Sequence, residues 1–145
     1  MTYKHTQTGY LIIFVLVIVT LYFGFIFTKT GFNLIILAVM FFILFLLASF
    51  MTLNVIIDKN YLKIKFGYGI FKRQFILKEI TSVKTVKNHW YYGWGIRFWL
   101  WPKMWIYNVS GFDAVEINMV NGKIYRIGTD EPKKLEHAIL QAIRL

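Results

Sequence analysis

Acid–base and nucleophilic side chains are scarce in this chain and poorly grouped. The histidines are His5, His89 and His137, the serines are Ser49, Ser82 and Ser110, and there is no cysteine. A serine nucleophile needs a strained turn motif and a metalloprotease needs paired histidines on one helix face; neither spacing occurs. Without cysteine there is no thiolate metal site, thiol nucleophile or disulfide. Asp113, Glu116, Asp130 and Glu131 could form an acid pair, but they fit better as a turn residue, a cross-strand partner of Arg126, a helix cap and a first-turn charge. His89 beside Trp90 and Arg97 is the one arrangement that could converge on a substrate, and a surface loop is its plainer reading. Gly67-x-Gly69 lies between strands, so it reads as a turn rather than a dinucleotide loop. Asn108-Val109-Ser110 matches a glycosylation acceptor by chance at a strand end. No cofactor or metal motif is present.

The unusual chemistry is aromatic. All five tryptophans, Trp90, Trp94, Trp99, Trp101 and Trp105, fall within 16 residues, beside Tyr91, Tyr92 and Tyr107. In a strand from Gly95, residues Ile96, Phe98 and Leu100 face one way while Arg97, Trp99 and Trp101 face the other. Both faces are apolar near the tip, and a small barrel has one interior, so something else must cover one of them. Three covers are open. Lipid headgroups suit indole, with Lys103 placed to meet phosphate; a protein partner or a second copy would serve; so would the domain's own sheet. Trp94, Arg97, Trp99, Trp101, Lys103 and Trp105 are the candidate binding residues.

The elements that must hold this stretch follow from composition. Of the 41 residues from Leu11 to Met51, 33 are hydrophobic, whereas only half of Thr52–Leu145 are. The chain therefore divides into a tail (1–9), an apolar block (10–51) and a globular domain (52–145). Two spans, 10–27 and 32–51, joined by Thr28-Lys29-Thr30-Gly31, predict a transmembrane helical hairpin. A cleaved signal peptide before one span competes with this, but the first stretch is too long and no small-x-small site follows it. The loop carries only Lys29, while Lys4 and then Lys59, Lys63, Lys65, Lys72 and Arg73 flank the spans, which places both termini in the cytosol. No Asp, Glu, Lys, Arg or His interrupts either span, so the hairpin reads as an anchor rather than an ion path.

In the globular block, Leu53, Val55 and Ile57, then Leu62, Ile64 and Phe66, alternate with more polar residues as strands. Ile70–Leu77 and Ile80–Lys87 continue the pattern. Around Asn121-Gly122 a three-residue loop, Val120-Asn121-Gly122, pairs Ile117 with Tyr125, Val115 with Ile127 and Glu116 with Arg126; a two-residue turn would mix the faces. Asp130 is the expected cap of a closing helix whose Leu135, Ala138, Ile139, Ala142 and Ile143 share one face. Seven or eight antiparallel strands and a capping helix give an α+β, mainly β, fold.

Strands with a C-terminal capping helix behind a two-span hairpin resemble bacterial pleckstrin-homology-type proteins. Trp90-Tyr91-Tyr92-Gly93-Trp94-Gly95-Ile96-Arg97, Tyr107-Asn108-Val109-Ser110-Gly111 and Gly128-Thr129-Asp130-Glu131-Pro132 resemble a family of small uncharacterised bacterial membrane proteins. The run Phe98-Trp99-Leu100-Trp101 before Pro102 is longer and more aromatic than is usual there. The resemblance implies a pleckstrin-homology-like domain at the bacterial inner (cell) membrane, and no activity.

The block carries 15 Lys+Arg against 7 Asp+Glu. General attraction to an anionic leaflet accounts for this without a phosphoinositide pocket. Dispersed charge and the lack of a recognition motif argue against nucleic acid. The expected function is a non-enzymatic, membrane-tethered binding or scaffold module that engages the lipid bilayer, a membrane protein partner or itself as a homo-oligomer. The alternative is an accessory subunit of a membrane enzyme or transporter.

Overall fold

The computed structural model describes residues 3–101 and 103–144; Pro102 at the end of the aromatic run, and Met1, Thr2 and Leu145 at the outer limits of the tail and domain, lie outside them. The elements in order are β1 (Tyr3–Thr8), α1 (Tyr10–Thr30), α2 (Leu34–Ala48), β2 (Thr52–Ile57), β3 (Tyr61–Phe66), β4 (Phe71–Ile76), β5 (Ile80–Lys87), β6 (Gly95–Leu100), β7 (Lys103–Asn108), β8 (Asp113–Met119), β9 (Ile124–Gly128) and α3 (Pro132–Arg144). Short 3-10 turns occupy Leu77–Glu79 and Trp90–Tyr92.

Helix α1 runs 21 residues and is long and apolar enough to cross a membrane. It outlasts its expected end because the Thr28 and Thr30 hydroxyls donate back to the Phe25 and Ile26 carbonyls, keeping polar residues helical until left-handed Gly31. Helix α2 is shorter than the expected span, at 15 residues, or about 22 Å. Asn33 caps it by accepting from the Ile35 and Ile36 amides, so Phe32 falls outside. At its other end Phe50 leaves the helix and packs on Phe66 and Phe71. The Gly9 amide donates to the Met51 carbonyl at 2.6 Å, so the two helices run antiparallel with their outer ends together.

The segment read as a tail is a strand. β1 pairs antiparallel with β2, from Tyr3 opposite Ile57 to Thr8 opposite Thr52. Its polar residues hide the alternation, since His5 and Gln7 point toward the domain, where His5 meets Asp130 and the Gln7 amide nitrogen donates to the Ser110 carbonyl. The helical hairpin is thus an insertion between two neighbouring strands.

One sheet has the order β1-β2-β3-β4 and the other β5-β8-β9-β7-β6. Among the described residues every pairing is antiparallel except β7 with β9, which is parallel and corrects the all-antiparallel expectation. The β6–β7 hairpin leaves after β5 but joins the far edge of β9, so β7 arrives in the same direction as β9. The β8–β9 hairpin has the expected register, with left-handed Gly122 closing its loop. Between the sheets lies an apolar core including Leu53, Ile64, Phe66, Ile117 and Ile127, covered by Leu135 and Ile139 of α3. Asp130 does not cap α3. The Leu135 amide bonds to the Glu131 carbonyl, which makes Pro132 the first helical residue, and Asp130 turns to His5.

Candidate functional site

Strands β6 and β7 pair Ile96 with Tyr107, Phe98 with Trp105 and Leu100 with Lys103 on one face, and Arg97 with Ile106 and Trp99 with Met104 on the other. The first face continues the main core. Tyr107 lies within it, stacked at 6.4 Å on Tyr125, but beyond Tyr107 the first sheet no longer covers the hairpin. Phe98 (46% exposed), Trp105 (40%) and Leu100 (62%) are left at the surface, with the Phe98 and Trp105 rings 5.0 Å apart.

The opposite face has its own small core. Met104 and Ile106 are buried with Tyr92, and Trp99 and Ile124 pack around them. The 3-10 turn at Trp90–Tyr92 lies over the strand, placing Tyr91 and Tyr92 at 5.4 and 4.8 Å from the Trp99 ring. Below Tyr92 lies the Arg126 guanidinium, which donates to Glu116 at 2.9 Å and to Asn88 at 3.2 Å. A half-buried cation with its buried counter-ion thus anchors the aromatic segment to the sheet.

The six candidate residues divide by position. Trp94 stands before β6, half-buried, against Phe112, and donates from its indole to the Gly111 carbonyl. The Arg97 Nε donates to the Trp94 carbonyl. Both sit toward the base, with Trp94 about 20 Å of strand from the tip. Trp99 is fastened by the aromatic turn and donates to the Trp101 carbonyl at 2.7 Å. Trp101 (88% exposed), Lys103 and Trp105 form the outward tip. Phe98 and Leu100 belong with them; their alternation was legible in the sequence, but not which face would be left uncovered.

The candidate catalytic groups have other neighbours. His89 stacks on Tyr91 at 4.9 Å, whereas Arg97 turns back to Trp94. Asp130 pairs with His5, Asp113 with Lys87, and Glu131 accepts from the Tyr3 hydroxyl and from Lys134. Asp58 is held below the usual carboxylate range, first by its contact with Lys63 and then by the Asn60 and Tyr61 amides. Among the described residues, no three His, Asp or Glu side chains are grouped to hold a metal ion.

The hairpin also has a defined place relative to the helices. Gly95 adjoins the Phe50 ring, and Val109, after β7, adjoins Gly9. Ser110 then meets Gln7, Asp130 meets His5 and Glu131 meets Tyr3. Crossing the second sheet from β7 past β9 therefore climbs β1 away from the helices. β6 is the edge strand, and its first residue lies on the helix side. No family model matches this chain, and no curated protein is significantly similar to it in sequence.

Proposed function

We propose that this chain is a membrane-tethered binding module whose aromatic β6–β7 hairpin engages the lipid surface beside its own anchor. In this reading α1 and α2 both enter the bilayer, α2 reaching depth with help from its flanks, and both termini lie in the cytosol where flanking lysines are favoured. The domain is pleckstrin-homology-like: β1–β4, then β5, β8, β9 and α3 supply the strands and closing helix of such a fold, with the membrane hairpin and the aromatic hairpin as insertions. The role is binding rather than catalysis: the acids that could have formed a catalytic pair, Asp113, Glu116, Asp130 and Glu131, are each paired with a basic side chain.

One observation carries the lipid reading over a protein partner or self-association. β6 is the edge strand of its sheet, with its first residue on the helix side, and its tip exposes Trp101 and Leu100 next to Lys103. Indole with a neighbouring cation suits the headgroup region. A tethered domain needs little intrinsic affinity, because its effective concentration at the surface is high.

The test uses the full chain in phosphatidylcholine–phosphatidylglycerol nanodiscs containing brominated lipid. Tryptophan quenching should fall when Trp101 is changed to Phe. Quenching indifferent to that change overturns the lipid reading. If a co-purifying membrane protein is also lost from Trp101→Ser, the accessory-subunit reading replaces it.

A further inference from the structure

The turn between β3 and β4, Gly67-Tyr68-Gly69-Ile70, lies against the membrane helix rather than over the domain. The Tyr68 ring stacks on Phe45 of α2 at 5.7 Å and 21°. Phe45 is one helical turn inside the apolar stretch, since the Ser49 amide closes back on its carbonyl. Tyr68 also lines an apolar surface recess with Leu16, Phe41, Phe42 and Ala48. The approach is fixed by backbone: a Cβ on Gly67 would stand 2.5 Å from the Ser49 carbonyl oxygen, and Gly67 already has φ +45°.

The tip is apolar where a soluble turn would be polar. Tyr68 is 61% exposed and Ile70 55%. Directly behind them Lys65 and Lys72 face each other in register across β3 and β4, both exposed. Like charges placed opposite one another oppose pairing unless an anion lies near, and among the described residues neither takes part in an ion pair.

We infer that this turn is a non-helical insertion into the leaflet that receives the end of α2, with Tyr68 and Ile70 in the interfacial layer and Lys65 and Lys72 against anionic headgroups. It holds the domain at a fixed tilt and is independent of the aromatic hairpin. The inference rests on the bilayer placement of α1 and α2 proposed above.

Because the chain has no cysteine, single labels test this directly. An environment-sensitive fluorophore is placed on Ile70→Cys, on Phe14→Cys in α1 and on Asn121→Cys in the β8–β9 loop. Each full-length variant is put into phosphatidylcholine–phosphatidylglycerol nanodiscs containing a spin-labelled lipid quencher. Labels at 14 and 70 should be quenched by lipid, and the label at 121 by aqueous iodide only. Changing Lys65 or Lys72 to Gln should lower the inserted fraction of the turn about fivefold each. If position 14 is quenched by lipid while position 70 behaves like 121, the insertion is refuted and the membrane anchor stands. If position 14 also remains in water, the anchor reading fails and takes this inference with it.

Discussion

Arg126 lies beneath the ring of Tyr92, its guanidinium carbon 5.6 Å from the ring centroid, while the same group is paired with buried Glu116. The aromatic segment before β6 is therefore held on the sheet by a charge that has little water around it. Removing the guanidinium should leave buried Glu116, among the described residues, with only the exposed Lys84 ammonium, at 3.4 Å, and cost about 1.5–3 kcal/mol for the lost charged hydrogen bond. Tyr92→Leu should cost about 1–2 kcal/mol, with a coupling of about 1 kcal/mol to Arg126→Gln in a double-mutant cycle. Unfolding in detergent measures all three. Additive losses would mean that the ring and the cation are neighbours without interaction.

Gly67 and Gly111 both have positive φ, at +45° and +68°, but only Gly67 faces backbone, the Ser49 carbonyl; nothing lies within 4 Å of a Cβ at Gly111. Gly111→Ala should therefore cost about 1–2 kcal/mol from backbone conformation alone. Gly67→Ala should cost more, and should also detach Tyr68 from Phe45. The comparison is made by thermal unfolding of the two full-length variants, with equal losses counting against a tight seam between sheet and helix.

The Tyr3 hydroxyl donates to Glu131, and its pKa is pushed up, first by burial and then by that carboxylate. Burial also raises Tyr107. The folded chain thus resists losing these protons more than the unfolded chain, in which tyrosine ionises near pH 10. The sign follows: stability is intact below about pH 10 and falls as pH rises beyond it. Tyr3→Phe should lose about 1 kcal/mol near neutrality, from the missing hydrogen bond, yet decline less steeply in alkali. Denaturant titrations between about pH 9 and 11, one unit either side of the ordinary tyrosine value, read the slope, and an unchanged slope refutes the role of Tyr3.

Much of the second half was readable because its alternation is clean. Val115, Ile117, Tyr125 and Ile127 can share a face only with a three-residue loop, and that is the register formed. Periodicity assigns faces but not neighbours, so the parallel pairing of β7 with β9 had no local signal. β1 was concealed for a related reason. His5 and Gln7 look like tail residues until Asp130 and Ser110, more than a hundred positions away, supply their partners. The candidate residues were legible as a group by type, but Trp94 and Trp101 stand at opposite ends of one strand, and which rings would be covered depended on the Trp90–Tyr92 turn. The place of β3–β4 beside α2 came from Gly67 meeting the Ser49 carbonyl, a tertiary contact with no local pattern.

That division of the tryptophans separates stability from binding. Trp99 lies between Tyr91 and Tyr92 over Met104, so Trp99→Ser should remove packing and cost about 2–3 kcal/mol. Trp101 is almost wholly exposed, so Trp101→Ser should change stability by no more than about 0.5 kcal/mol. If the tip is the binding surface, Trp101→Ser should lose lipid quenching while unfolding like the parent, and Leu100→Ser should behave the same way. Trp99→Ser should lower both, because the tip loses the support beneath it. A Trp101→Ser variant that unfolds early would instead show that the indole is packed in solution, and would return the tryptophan run to the role of core.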